Sequence, residues 1–555
     1  MKRFGQLKYL HPALGRIKGT LAAMALLTVL VSLIALAPPY YGKLLFDQGV
    51  AVGDVGRIVY YGLLAIVFYL LASVLQFAAQ ALFALASNRF TVNVKDQAVQ
   101  RLLRMPLEFF DKQQSGYLVN RVNEVDSLSG LFSPTIFQFF SSLIQFAGAV
   151  GIMVGINGRI TLVALLFLPL FYLVTRTMSR SLKATSQKLM ETAAQMRGNL
   201  QEVVSGVSDI KQFTAERSKA QEIAKQFANV ASQRVRQSLS MGMGIQSLGF
   251  LTNVAGVLVL MLSGIYIARG QLSMGDYVAL AGYAGKLFVP VQLFGSFSLT
   301  IQPALVALAR LSTIFEEKSE RELWGDRKEK QIKGAITCKG VSFKYDRLKD
   351  DVLKNCSFSI APGDCVTILG RNGSGKSTLV KLTLGFYPNY SGEILIDGVE
   401  LHQYDVASLR RRVGIVSQNV ILFTGSLEDN VKMADPQASK EEVERALTLS
   451  GCKNVFDEGL DDIKIAEFGR NLSGGQRQAV AIARCLLKDP DVLIFDEATA
   501  HLDASACEVA MHAFKHVFAD KTRILITHDR EIASFADRVL LLEDGAIKET
   551  LCTSS

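Results

Sequence analysis

The run Gly-Arg-Asn-Gly-Ser-Gly-Lys-Ser from Gly370 to Ser377 has the spacing of a phosphate-binding loop. It follows the apolar run Cys365–Leu369, which predicts a strand, and precedes residues 378–384, which predict a helix. Glycines let backbone N–H groups turn onto a phosphate, and the helix N-terminus adds positive potential there. Lys376 is expected to reach the β- and γ-phosphate oxygens, and the Ser377 hydroxyl to bind Mg²⁺. The predicted phosphate-binding residues are Gly370, Asn372, Gly373, Ser374, Gly375, Lys376, Ser377 and Thr378.

Two acids, Asp496 and Glu497, end a second apolar run that begins at Val492. A buried parallel strand delivers such acids to its carboxyl end, where ligands bind in open α/β sheets. Asp496 is expected to hold Mg²⁺, directly or through water, and Glu497 to polarise the water that attacks the γ-phosphate. Either acid alone could simply end a strand at a turn. The phosphate loop upstream favours the catalytic interpretation and predicts ATP and Mg²⁺ as cofactors.

The segment Leu-Ser-Gly-Gly-Gln between these two motifs is the signature of ATP-binding cassette (ABC) proteins, and the chain resembles that family. The resemblance implies that the signature binds nucleotide and that four further residues line or serve the site. Tyr345 resembles the aromatic residue that stacks on adenine, and Gln418 the catalytic-site glutamine that contacts Mg²⁺ and the membrane domain. Asp503 matches a loop that crosses a dimer interface, and His528 the catalytic histidine that senses the γ-phosphate. The signature residues are Leu472, Ser473, Gly474, Gly475 and Gln476.

The resemblance extends to the first half of the chain and is to type IV exporters, the bacterial lipid and multidrug class of half-transporter. Residues 106–111 with Gly116 and Arg121 look like the first intracellular loop of these exporters, and residues 7–12 like their N-terminal elbow. Residues 467–469 resemble the segment that contacts the cytoplasmic helices. His501 departs from the pattern, because the family has a small residue there.

Composition separates two unlike parts of this 555-residue chain, which is too long for one core. Long apolar runs fill the first three hundred residues, and the remainder is typical of a soluble α/β protein. The net charge of +9 is not clustered as in a nucleic-acid-binding module, so no nucleic-acid partner is expected. All seven cysteines lie in the second part without paired spacing, which argues against a disulfide framework or a cysteine metal site.

Six apolar runs reach the length of about 20 residues that crosses a bilayer. Lys and Arg concentrate before the first run, between the second and third, and between the fourth and fifth, which predicts that both termini are cytoplasmic. The two long cytoplasmic segments are predicted to be helices that turn back near residues 106–116 and 208–215, and residues 4–17 an interfacial helix. The third and fourth runs are separated only by Gly158 and Arg159, which predicts a tight hairpin. The predicted spans are residues 20–41, 59–85, 133–157, 160–178, 247–269 and 278–299.

The predicted fold class is an all-α six-helix transmembrane domain with long cytoplasmic extensions, fused to an α/β P-loop ABC ATPase domain. The transmembrane domain, with its elbow helix and two coupling-helix loops, is expected at residues 1–315. A linker is expected at 316–334 and the nucleotide-binding domain at 335–555. The chain is expected to be an integral protein of the bacterial inner membrane, with its ATPase domain in the cytoplasm.

The predicted function is ATP-driven export or flipping of a substrate by alternating access, in a dimer with two shared ATP sites. The partner is a second half-transporter chain. A homodimer is favoured because Glu497, the signature and His528 are all intact, and a heterodimer stays open. Besides membrane lipids as surroundings, the substrate is expected to be a lipid or amphipathic compound, a hydrophobic drug, or a peptide. The absence of a peptidase-like region before the first span disfavours a peptide exporter that trims its cargo. The alternative is an ATP-gated membrane regulator or sensor without active transport.

Lys286 is the charged residue near the middle of the sixth predicted span. A lysine at a helix centre costs roughly 2.5–3.5 kcal/mol on insertion scales, so it usually faces a cavity or a partner. Pro290, one turn later, could kink the helix there. We therefore predict that Lys286 lines the substrate pathway and favours anionic cargo. The alternatives are that its side chain reaches the cytoplasmic surface or that the span is shifted by a turn.

Overall fold

The computed structural model describes residues 14–113, 115–346, 350–452, 456, 463–498 and 504–552. The chain forms two compact units. The first, Met1–Leu102 with Gly116–Glu316, is called the helical unit below. The second, Leu103–Ser115 with Glu317–Ser555, is called the sheet unit.

The helical unit is built from long apolar helices joined by short turns. A π-helical turn, Leu45–Val50, follows the helix that ends at Leu44. A 3₁₀ segment, Glu124–Phe132, precedes the helix that begins at Pro134. The helices of this unit are α1 (Lys18–Ile34), α2 (Ala37–Leu44), α3 (Val55–Leu102), α5 (Ser115–Asn123), α6 (Pro134–Leu166), α7 (Leu168–Ser205), α8 (Val207–Gln212), α9 (Glu216–Ala268) and α10 (Met274–Glu316).

Within the described residues, five continuous helical segments have the length and apolar composition to cross a membrane. The sequence predicts six spans, and the counts differ because the segment Gly116–Ser205 holds both the third and the fourth. Its helix breaks at Asn157, where φ is −158° and ψ is 104°. The Oδ1 atom of Asn157 accepts hydrogen bonds from the N–H groups of Arg159 (3.0 Å) and Ile160 (3.1 Å), which caps the helix that follows. The predicted link at Gly158 and Arg159 therefore begins one residue earlier.

Several helices are longer than a bilayer needs. Helices α3, α7, α9 and α10 have 48, 38, 53 and 43 residues, against about 20 for a span. The segments predicted to continue as helices beyond the membrane are thus helical. The short helices α4 (Leu107–Lys112) and α8 fall at the two predicted turning points. Most of the predicted interfacial helix, residues 4–13, lies outside the described residues.

The domain boundaries differ from the prediction in two places. Residues 103–115, assigned from sequence to the transmembrane domain, cluster with the sheet unit. The predicted linker 316–334 is not a free connection, because Trp324 and Ile332 join the hydrophobic core of the sheet unit. The Trp324 ring stacks on His402, with ring centroids 5.0 Å apart. Burying large apolar side chains stabilises the fold more than leaving them exposed in a solvated linker would. The composition of so short a segment does not reveal this packing.

The described residues of the sheet unit form three sheets. A four-stranded antiparallel sheet has the order β2-β1-β4-β5, a six-stranded sheet the order β12-β11-β3-β10-β9-β6, and a small one pairs β7 with β8. The strands are β1 (Ile336–Phe343), β2 (Leu353–Ile360), β3 (Cys365–Leu369), β4 (Ser391–Ile396), β5 (Val399–Glu400), β6 (Val413–Val416), β7 (Gly425–Ser426), β8 (Lys464–Ile465), β9 (Val492–Asp496), β10 (Thr522–Thr527), β11 (Arg538–Glu543) and β12 (Ala546–Cys552).

Helices cover the six-stranded sheet, and five of its strands run parallel. Its central strands are largely buried and mostly apolar, as expected for a parallel sheet covered on both faces. The helices of the sheet unit are α4, α11 (Lys376–Thr383), α12 (Val406–Arg412), α13 (Leu427–Lys432), α14 (Lys440–Leu449), α15 (Gly474–Lys488), α16 (Ala504–His512) and α17 (Arg530–Ala533).

Candidate nucleotide site

Four neighbouring parallel strands end at the same edge of the six-stranded sheet, in the order β3, β10, β9 and β6. The phosphate loop follows β3, His528 follows β10, Glu497 follows β9, and Gln418 lies two residues beyond β6. The carboxyl edge of such a sheet is where ligands bind. Residues far apart in sequence are thereby brought to one site.

The phosphate loop has left-handed backbone at two glycines, with φ of 83° at Gly373 and 105° at Gly375. At Gly375 a Cβ atom would lie only 2.8 Å from Leu353 Cδ2, so both the backbone conformation and the close packing require glycine there. Lys376 starts α11 and is 4% exposed. Its Nζ atom donates to the carbonyl oxygens of Gly370 (2.9 Å) and Arg371 (3.1 Å), which holds the ammonium inside the loop.

The carboxylate of Glu497 lies at the centre of the site. Its Oε2 accepts a hydrogen bond from Gln418 Nε2 at 2.8 Å, and its Oε1 lies 3.3 Å from Lys376 Nζ and 3.7 Å from His528 Nδ1. The backbone of Glu497 has φ of 48°, a left-handed conformation that costs of order 1–3 kcal/mol in a residue other than glycine. Its N–H donates to Ile526 O, which fixes this conformation against β10. The structure therefore brings two predicted catalytic residues, Gln418 and His528, and the loop lysine around the carboxylate of the third, Glu497.

Asp496 and Ser377 form the second polar pair. The Ser377 Oγ donates to Asp496 Oδ1 at 3.3 Å. Burial raises the pKa of Asp496, and the neighbouring Glu497 charge adds to this, while the Ser377 hydrogen bond opposes it. Within the described residues no cluster of three or more His, Cys, Asp or Glu side chains could hold a metal on its own. A carboxylate beside a hydroxyl nevertheless suits Mg²⁺, which is usually held by one or two carboxylates together with substrate phosphates.

Tyr345 lies beside the start of α11. Its hydroxyl is 3.1 Å from the Thr378 Oγ1, and its ring packs edge-on against Phe343 (4.9 Å) and Tyr387 (5.4 Å). The predicted adenine-stacking residue is thus positioned by aromatic neighbours next to the predicted phosphate-binding residue Thr378.

The signature lies on a separate helix terminus. Ser473 caps α15: its Oγ accepts from the Gln476 N–H (3.2 Å), and Gln476 Oε1 accepts from the Ser473 N–H (2.9 Å). In the described part of the chain the hydrogen bonds of Ser473 stay inside this cap and helix. Ser473 is exposed and Gly474 half-buried at the start of α15, while Leu472 is buried beneath them. The helix connects to the site through Gln478, whose Nε2 donates to Ser417 O, next to Gln418.

Two predicted positions, Asp503 and His501, lie outside the described residues.

The contacts that hold the short helix α4 in the sheet unit involve residues that were not predicted from the sequence. The Tyr387 hydroxyl donates to an Asp111 carboxylate oxygen, Asn389 Nδ2 donates to Glu108 Oε2 at 3.3 Å, and Lys112 pairs with Asp346 at 2.6 Å. A cavity of about 290 Å³ lies between α4 and Tyr345. The resemblance to exporters implied a coupling helix near residues 106–116 that docks on the ATPase part, but nothing in the sequence identified its partner residues.

The phosphate loop and the acids at the end of β9 lie within a segment that matches a known protein family. The ABC transporter transmembrane region family matches residues 21–291, and the ABC transporter family matches residues 353–500. This chain belongs to the ABC transporter family. The type IV exporter organisation predicted from the motifs is confirmed: a helical transmembrane part is fused to an α/β ATPase part that hydrolyses ATP coupled to transport.

Curated relatives of this exporter cover most of its length. YgaD of Bacillus subtilis (strain 168), provisionally named a multidrug export ATP-binding/permease protein, is 26% identical over 83% of this chain and 80% of its own. The alpha-hemolysin translocation ATP-binding protein HlyB of Escherichia coli O157:H7 is 29% identical over 97% of this chain and 76% of its own.

A solved structure, of a bacterial Atm1-family ABC exporter with ATP bound, covers 97% of this chain and 95% of its own. The TM-score between the two structures is 0.83 and their sequence identity is 24%, so they share a fold.

Proposed function

We propose that this exporter works as a dimer in which each ATP lies between the phosphate loop of one chain and the signature of the other. One observation supports this most directly. The Glu497 cluster and the phosphate loop gather at the sheet edge, whereas the signature is an exposed helix N-terminus on α15. Backbone N–H groups at such a terminus bind phosphate. A second chain that supplies this terminus completes the site.

Within each site the residues of this chain have separate roles in ATP hydrolysis. Lys376 exchanges the loop carbonyls for the β- and γ-phosphate oxygens, and Tyr345 stacks on the adenine. Glu497 polarises the attacking water, and His528 contacts the γ-phosphate. Ser377, Asp496 and Gln418 would hold Mg²⁺, which would supply positive charge next to the phosphates.

The N–H groups of Gly474 and Gly475, with the Ser473 hydroxyl, reach the γ-phosphate from the partner chain. Charge that develops on the γ-phosphate oxygens during hydrolysis is then stabilised by preorganised donors rather than by water. Hydrolysis removes the group that both chains bind, so the dimer opens. Closure with ATP and opening after hydrolysis provide the two states that alternating access needs.

The second short helix, α8, provides the mechanical link between chains in this proposal. Phe213, next to α8, is 74% exposed, and Val207 within α8 is also exposed. In the sheet unit Ile421, Phe423 and Phe468 are exposed as well, and Gly469 packs against Leu422 between them. We propose that α8 of a second copy covers this apolar patch, because exposed aromatic side chains gain free energy when they are buried.

The partner is a second copy of this chain, since Glu497, the signature and His528 are all intact; a heterodimer would be revealed by a different co-purifying chain. The ATPase part faces the cytoplasm of a bacterial inner membrane, as the distribution of Lys and Arg indicates. The cargo is a lipid or other amphipathic compound in preference to a hydrophobic drug or a peptide. Relatives named for multidrug export and for hemolysin translocation show that the fold serves more than one kind of cargo.

Mixed dimers of two inactive variants test the shared site. Lys376→Ala disables the phosphate loop of its own chain, and Ser473→Arg disables the signature lent to the partner. Each variant alone should be inactive, whereas a mixed dimer purified through two different tags keeps one site intact. That dimer should hydrolyse ATP. Hydrolysis no greater than that of either parent would show that each chain builds its site alone.

A further inference from the structure

Lys286 lies on α10 inside the apolar segment Met274–Phe294, which can cross a membrane. Its side chain is half-buried, and its Nζ donates to Gln145 Oε1 on α6 at 2.9 Å. Gln145 is near the middle of the third predicted span. The ammonium group is therefore directed towards a neighbouring helix at membrane depth, and not towards the cytoplasmic surface.

A directed chain of hydrogen bonds orients the amide that Lys286 contacts. Ser32 Oγ donates to Thr28 O at 2.6 Å, so it accepts from Ser141 Oγ at 2.8 Å. Ser141 in turn accepts from Gln145 Nε2 at 3.1 Å. The Gln145 amide oxygen is thereby turned towards Lys286. Because Ser32 and Ser141 are buried, this orientation is set by the protein interior.

The ammonium group lines a cavity of about 410 Å³ between α1, α3, α6 and α10. Gln76 and Gln138 add polar groups to the lining, and Val31, Val289 and Leu293 add apolar walls. Among the described residues the lining contains no carboxylate, and Lys286 makes one hydrogen bond and no ion pair. An ammonium group has three donors, so two remain for a ligand.

We propose that this cavity binds the anionic head group of an amphiphile, with a phosphate or carboxylate against Lys286 and an apolar chain along Val31, Val289 and Leu293. A cation at membrane depth without a counter-ion is costly, and an anionic head group offsets that cost. Apolar walls beside the cation match a ligand that carries both kinds of surface. The inference rests on the proposed export function and names its substrate class.

The test uses the full chain in phosphatidylcholine nanodiscs and compares three probes. Lysophosphatidic acid carries an anionic head, lysophosphatidylcholine with the same acyl chain has no net charge, and glycerol 3-phosphate has the anionic head without a chain. ATP hydrolysis is measured against probe concentration. Lysophosphatidic acid should stimulate at the lowest concentration. If glycerol 3-phosphate were equally effective, the site would be for a free anion and the amphiphile proposal would be overturned.

Variants then assign the preference to Lys286. Lys286→Ala should raise the half-maximal concentration of lysophosphatidic acid by about 10–100-fold, the range for losing a hydrogen bond to a charged group. Lysophosphatidylcholine should change little. Lys286→Arg should retain the preference and Lys286→Glu should reverse it. The matched control is Gln292→Leu on the same helix, because Gln292 donates to Thr252 Oγ1 and does not line the cavity; it should behave as wild type.

Equal responses of the wild type to the two lipids, or an unchanged preference in Lys286→Ala, would overturn the inference. Neither result would affect the shared ATP site, which the mixed dimers test without added lipid. Conversely, inactive mixed dimers together with a lipid preference lost in Lys286→Ala would overturn the shared site and leave the head-group site standing.

Discussion

At the residue scale, the carboxylate of Glu497 decides what the site can do. It touches Gln418, Lys376 and His528, each from a different strand end. The Lys376 ammonium attracts the carboxylate, and the hydrogen bond from Gln418 fixes its direction. A general base in a hydrolase needs that combination of charge and fixed position.

The substitution Glu497→Gln tests this role. Glutamine keeps the size of the side chain and can still bond Gln418, but it cannot accept a proton from water. Steady-state phosphate release should fall by about 10²–10⁴-fold, the usual contribution of a general base, while ATP still binds. Glu393→Gln is the matched control, because Glu393 pairs with Lys339 in an exposed ion pair on another sheet. Turnover of Glu497→Gln within about twofold of wild type would assign the base to another residue.

The residues of the site could be predicted because each belongs to a short local pattern. The phosphate loop and the acids that end β9 are recognisable from a few neighbouring residues. Their contacts could not be predicted in the same way. The 3.3 Å approach of Lys376 to Glu497 depends on the strand order β3-β10-β9, which no local pattern encodes.

At the element scale, α4 comes from the first half of the chain but packs within the sheet unit, beside Tyr345. Tyr387 is 2% exposed, donates to Asp111 on α4 and packs against the ring of Tyr345. Burial first, and then the Asp111 carboxylate, raise the pKa of Tyr387, so its hydroxyl stays protonated and can donate at any physiological pH. Movement of α4 is therefore expected to be felt at the predicted adenine position.

Removing that hydroxyl should loosen α4. Tyr387→Phe keeps the buried ring and loses a hydrogen bond to a charged but exposed partner, worth about 1–1.5 kcal/mol. The unfolding midpoint of the sheet unit should fall by about 2–6 °C for a domain of this size. The single tryptophan, Trp324, is buried in the sheet unit, so its fluorescence reports that unfolding in the full chain.

The control for this measurement is Lys112→Ala, which changes another residue of α4. It removes the ion pairs of Lys112 with Asp346 and with Glu108. The Lys112 side chain is exposed, so the loss of these pairs should shift the midpoint clearly less. Equal shifts in the two variants, or none in Tyr387→Phe, would contradict the role given to the buried contact.

The helices themselves were predictable from length and apolar composition, including the short α4 and α8 at the two turning points. The unit to which α4 belongs could not be predicted in this way. Its partners Tyr387 and Asn389 lie far along the chain, and a contact between distant residues leaves no periodic pattern. For the same reason the segment containing Trp324 was predicted to be a linker although it packs in a core.

At the scale of the whole molecule, the account depends on two chains. One chain provides a phosphate loop, a proposed base and a proposed Mg²⁺ site. On α15 it also carries an exposed helix N-terminus, which is proposed to bind phosphate. If two copies pair head to tail, each exposed terminus completes a site on the other chain. ATP then acts as the ligand that holds the two sheet units together.

Cross-linking between chains tests this claim most directly. Asn372 in the phosphate loop and Ser473 in the signature are both exposed. Asn372→Cys and Ser473→Cys, combined in the Glu497→Gln background, should be joined between chains by a short bis-maleimide when ATP and Mg²⁺ are present. Five native cysteines are buried: Cys338, Cys356, Cys365, Cys452 and Cys485. Variants that carry only one of the two introduced cysteines control for reaction at the remaining native cysteines. The account predicts an ATP-dependent dimer band on a denaturing gel. No such band, while both introduced thiols still react with a monofunctional maleimide, would contradict it.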